Sequence, residues 1–228
     1  MKSLVLTLTQ VVFTLLLYVL GTLVLGIALV PSVFLVQKAC EYTLGTLWGL
    51  PVLCVALAGG YFIFGLTLML VVGLLRSVLR IRLKEGSYKI GTPETLKWFF
   101  VNALFLSVRT VFMEFMMLTP FCSLFYRLMG AKLGRNVQIN SKNVADHSLL
   151  EIGDNTVIGG NATVIAHIFE SGGIKLMKVK IGRNVVIGLN SVIMPGAQIG
   201  DGAVVAAGAI VPKETVIAPK TVYFGPRP

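Results

Sequence analysis

The chain has two histidines, and each stands beside acidic company: His147 directly follows Asp146, and His167 lies three residues ahead of Glu170. An imidazole titrates near neutrality, so it can take a proton from a hydroxyl or an amine that is about to act as a nucleophile. A carboxylate within reach can hold such a ring in the tautomer that leaves its outer nitrogen free, and Asp146 is the candidate for His167. Glu170 reads as an acceptor contact, as a residue that orders the loop behind it, or as a solvent-exposed charge. His147 reads either as a substrate contact or as a plain corner residue. Cys40, Cys54 and Cys122 are scattered without paired spacing, so neither a disulfide framework nor a zinc knuckle is implied, and no metal site is expected.

The element that must position these side chains is a six-residue ruler. From Ile181 to Val222 an aliphatic residue opens every hexad: Ile181, Ile187, Ile193, Ile199, Val205, Val211 and Ile217. The fifth place is small or β-branched, as at Val185, Ser191, Ala197, Ala203 and Ala209. Asn184, Asn190, Gly196, Gly202 and Gly208 precede it, where a turn can demand a positive φ. A period of six fits neither a helix nor strand alternation. It fits a parallel β-helix, a prism with one short strand per hexad and three hexads per coil, in which Ile181, Ile199 and Ile217 stack. Such repeats bury a core only against their neighbours. Leu133, Ile139, Ile152, Ile158 and Val164 extend the ruler upstream, for about five coils from Ala131. Its phase slips near Asp146–Glu151 and again across Phe169–Lys180, where a segment loops out. Both histidines lie at these slips, about one coil apart.

The first half is of another kind. The 228 residues are 55% hydrophobic, with a mean hydropathy of +0.84, too apolar for one soluble domain. Leu4–Val36 and Thr43–Leu75 each exceed the roughly 20 apolar residues that a spanning helix needs. Gln37–Glu41 is read as a polar break between them, and Pro51 and Gly59-Gly60 as a kink or a seat for a neighbouring helix. Lys2 and the cluster Arg76, Arg80, Arg82 and Lys84 predict both ends of this hairpin on the cytoplasmic side of the cell membrane. Gly86–Pro93 reads as a linker. Thr92-Pro93-Glu94 starts a helix that carries Arg109 and Glu114 to Leu118, and Thr119-Pro120 starts another. These two are expected to lie on the membrane with Trp98, Tyr126 and Arg127 near the headgroups; an ion-paired third span is the rival. The domains are then 1–85, a transmembrane hairpin; 86–130, membrane-associated helices and linker; and 131–228, the prism. The net charge of +10 suits anionic lipid or phosphorylated ligands. No recognition helix or aromatic-and-basic stripe points to nucleic acid.

The hexads resemble those of the left-handed β-helix acyltransferase superfamily. The runs Phe125–Asn136, Asp146…Ile152-Gly-Asp154 and His167–Glu170 resemble the membrane-linked hexapeptide domain at the end of polylysine-synthetase-like peptide synthetases, with Lys97–Phe100 similar to its pre-prism segment. The resemblance implies left-handed coils, a homotrimer and sites between subunits. It also implies transfer of an acyl group from a coenzyme A thioester to a hydroxyl or amine, with His167 as base and Asp146 as its acidic partner. No tightly bound cofactor is implied. Arg183, Lys213, Lys220 and Arg227 are the cations available for the phosphates of acyl-coenzyme A. Two other readings stand beside this one. The first is a non-catalytic prism that trimerises a membrane assembly. The second is a carbonic-anhydrase-like metal hydrolase, for which two histidines do not readily supply the three ligands needed.

Overall fold

The computed structural model describes residues 2–43, 45–170 and 172–225. The hexads form a three-faced prism of parallel strands. One face stacks Lys132–Leu133, Leu150–Ile152, Val179–Ile181, Gln198–Ile199 and Val216–Ile217. The second stacks Gln138–Ile139, Val157–Ile158, Val186–Ile187, Val204–Val205 and Val222–Tyr223. The third has Thr163–Val164, Val192–Ile193 and Ile210–Val211, and Val144 bridges to Val164 at its end. Ile199 pairs in register with Ile181 and Ile217, and Ile187 with Val205. The aliphatic openers of the regular hexads are buried along the axis.

The corners explain the rest of each hexad. Asn184, Asn190, Gly196, Gly202 and Gly208 all have positive φ. Corner asparagines also bond to one another between coils, Asn143 to Asn161 and Asn161 to Asn190. The glycine after an opening isoleucine is there for room: a Cβ on Gly182 would lie 2.5 Å from Asp201, and one on Gly200 would lie 2.6 Å from Pro219.

Ahead of the prism the described residues form five helices: α1 (Lys2–Thr43), α2 (Gly49–Val78), α3 (Pro93–Val111), α4 (Met113–Met116) and α5 (Pro120–Leu128). The residues from Gln37 to Glu41 remain helical in α1, so the turn comes later, at 45–48. Polar side chains alone do not end a helix whose backbone bonds continue, and Gln37 and Lys38 both bond Glu41 along it. α1 and α2 are long and apolar enough to cross a membrane. They meet where Ser32 Oγ donates to the Gly60 carbonyl at 2.7 Å, so the glycine pair seats a neighbour rather than breaking α2. Gly65 makes room for Phe112 and Gly73 for Leu128, which fastens α2 to the helices that follow.

The segment expected as a linker is in part a strand. Gly86–Lys89 pairs antiparallel with Gly173–Leu176, which pairs with His167–Glu170, so the loop-out is a three-stranded sheet. The expected helix to Leu118 breaks at Phe112, whose backbone leaves the helical region at φ −137° and ψ −7°. Arg109 and Glu114 do not pair with each other: Arg109 donates to Asn143 Oδ1 at 2.7 Å, and Glu114 pairs with Lys142. Both partners lie on the first coil. Trp98 and Tyr126, placed near lipid headgroups by their residue type, are instead buried between helix and prism. Tyr126 donates to the Ser141 carbonyl, and Arg127 donates to the carbonyl of Gly134. A buried Trp N–H or Tyr O–H needs a partner, and the first coil supplies one for each.

Candidate active site

The site is built where both breaks in the ruler meet the start of α3. Asp146 takes a left-handed backbone conformation, φ 56°, which ends the coil and turns its side chain inward, almost fully buried. Every acceptor position on it that matters is filled. Oδ2 accepts the His167 ring Nδ1–H at 2.6 Å and the Ala166 backbone N–H at 2.9 Å, and Oδ1 accepts the Trp98 indole N–H at 2.7 Å. Burial alone would raise this carboxyl, but His167, the Ala166 amide and the Trp98 indole together hold it below its ordinary value. An ionised Asp146 accepts at Nδ1, so the proton of neutral His167 sits there and Nε2 carries the free lone pair. The His167 side chain is 22% exposed. Its ring lies 4.8 Å from that of Trp98, and Phe169 closes a third side at 6.1 Å.

The structure brings Asp146 and His167 into contact and separates the other candidates. His147 is 1% exposed, its ring centroid 4.5 Å from those of both Phe105 and Tyr126. It therefore cannot touch a substrate, because α3 and α5 cover the slip on which it stands. Burial pushes its pKa down to about 4, against the opposing effect of the Asp146 charge. Glu170 is exposed and pairs with Lys213, so neither is an idle charge. Arg183 forks onto Asp201, with Nη2 and Nε at 2.7 and 3.0 Å from Oδ2. Arg183 and Lys220 share the prism corner around Asp201, whose side chain accepts the Arg183 amide and whose carbonyl accepts the Lys220 amide. Lys213 stands on a different corner, beside the hairpin, where it pairs with Glu170. Arg227 lies outside the described residues.

Two parts of the site were not anticipated. Trp98 binds the carboxylate across 48 residues, and the Ala166 amide completes it. The only sign in the sequence was a lone tryptophan in the first turns of a well-started helix.

Residues 150–176 and 178–213, within the prism, match the family described as the hexapeptide repeat of succinyl-transferase. Over 133 residues, 58% of this chain, the protein is 26% identical to delta-poly-L-ornithine synthetase of Acinetobacter baumannii. The chain spans about a tenth of the length of that relative. A galactoside acetyltransferase solved with coenzyme A is 25% identical, with a TM-score of 0.43, covering 64% of this chain and 84% of its own. A hexapeptide-repeat acetyltransferase of Vibrio cholerae is 21% identical, with a TM-score of 0.44, covering 55% and 84%.

Proposed function

We propose that this protein is a membrane-anchored acyltransferase that moves an acyl group from a coenzyme A thioester to a hydroxyl or amine of a membrane-proximal acceptor. The observation that carries this reading is the chain Trp98–Asp146–His167, which presents a free imidazole nitrogen at a break in a hexapeptide-repeat prism. In the reaction His167 Nε2 removes the acceptor proton as oxygen or nitrogen attacks the thioester carbonyl. The new acyl bond forms, the carbon–sulfur bond breaks, and the proton passes from Nε2 to the departing thiolate. Asp146 holds the ring and stabilises the imidazolium formed midway, a role worth testing apart from that of the base.

In this reading α1 and α2 span the inner membrane, with the prism on the cytoplasmic side where acyl-coenzyme A is found. The apolar side chains that α3–α5 leave exposed, such as Leu106, Phe115 and Phe121, support contact of these helices with lipid. The coils are left-handed and three chains share one axis, as the family resemblance implies. Free thiol released from acetyl-coenzyme A by the full chain in membranes tests the activity. Reporter fusions after Lys84 that appear on the outer side would overturn the topology.

A further inference from the structure

A second polar site lies where α2 reaches the prism, away from His167. Arg76, Arg80, Arg82, Arg127, Gly130 and Lys132 are among the residues that line a cleft of about 500 Å³. Arg76 is only 6% exposed. Its Nη1 donates to the Leu128 carbonyl at 3.3 Å, and its Nε and Nη2 have no hydrogen-bond partner. Leaving two donors of a buried cation unmet is costly. Gly130 shows that the space is kept for this group: at φ 100° it has no Cβ, and one there would sit 2.1 Å from Arg76 Nη2. Among the described residues no carboxylate pairs with Arg76, Arg80, Arg82 or Arg127, and Lys132 is held by Glu151. The cleft therefore carries positive charge that the described residues do not neutralise.

We propose that this cleft binds the phosphate of an anionic membrane lipid. Guanidinium groups match a phosphate in charge and in donor geometry. A lipid, rather than a free phosphate, fits the place of the cleft: it opens at the end of α2, a helix long and apolar enough to cross a membrane, so a phosphate bound there would sit at headgroup depth with its acyl chains along the helix. The inference rests on the membrane-anchored reading but not on acyl transfer.

The test is binding of dioctanoyl phosphatidic acid to the full chain in neutral detergent, compared with dioctanoylglycerol and with inorganic phosphate. Phosphatidic acid is expected to bind at least about tenfold more tightly than either, since each strong arginine–phosphate contact is a charge-assisted bond. The double variant R80Q/R82Q, which alters two exposed side chains and spares the buried one, is expected to lose about tenfold or more. R76M is expected to lose at least as much where it remains folded. Undiminished binding by R80Q/R82Q would overturn the site, and equal affinity for inorganic phosphate would overturn its assignment to lipid. Alkaline extraction of the membrane fraction tests the anchoring separately, so its failure and that of the cleft are distinguishable.

Discussion

The two breaks in the prism make an instructive pair. The first, at 146–149, folds inward: a left-handed Asp146 is followed by a short 3-10 turn, and α3 and α5 close over it. The second, at 167–176, folds outward as a hairpin that Gly86–Lys89 extends. Each delivers one histidine to the surroundings of the same carboxylate. The inward one is walled by aromatic rings and kept neutral; the outward one keeps a free nitrogen and a route to solvent. Interrupting a repeat thus creates a place for a polar side chain, and what covers the interruption decides whether that side chain stabilises or reacts.

The comparison can be broken at its reactive side first. His167→Ala should leave folding intact and lower thiol release from acyl-coenzyme A about a hundredfold or more; an unchanged rate would end its role as base. Asp146→Asn should cost less, because the ring remains but loses its fixed tautomer.

The buried side should respond to pH. The folded-state pKa of His147, about 4 against an ordinary 6.5, means that the unfolded chain binds the proton first. Stability is then full above pH 6.5 and falls as pH drops towards 4, by roughly 3 kcal/mol in all. Asp146, held low, adds its own loss only as pH falls below its ordinary value of 3.8. Thermal unfolding at pH 7 and pH 4.5 should show the first loss in the parent and not in His147→Leu. An equal acid shift in both would show that other groups govern it. His147→Ala should reduce stability far more than rate.

Smaller effects sharpen the boundary between the two breaks. Trp98→Phe removes one bond to a charged acceptor, about 2 kcal/mol of stability, and should slow transfer several-fold through a looser Asp146. The smallest change is expected from Glu170→Gln, under about twofold in rate, because its ion pair with Lys213 lies at the surface. A tenfold rise in the KM of the acceptor would instead give Glu170 the binding role its position first suggested.

The prism was legible in the sequence almost residue by residue, because a stacked repeat converts position directly into environment. Ile187 could face only the axis, and Asn184 only a corner. The histidine break was visible for the same reason, as a failure of the ruler. What closed that break was not visible. Gly86–Lys89 is too short for its alternation to stand out, and its partner strand begins 84 residues further on. Trp98 and Tyr126 fitted a lipid interface by type, and only their distant acceptors, Asp146 and Ser141, show that the prism claims them.

That late partner has a consequence for synthesis. At about 5–20 residues per second, a ribosome that has finished Lys89 needs roughly 5–20 seconds to reach Leu176. Through that interval Gly86–Lys89 has no strand of its own chain beside it, and Trp98 waits about half as long for Asp146. The pace of translation between residues 89 and 176, more than the strength of the finished site, then sets how long this chain stays open to aggregation.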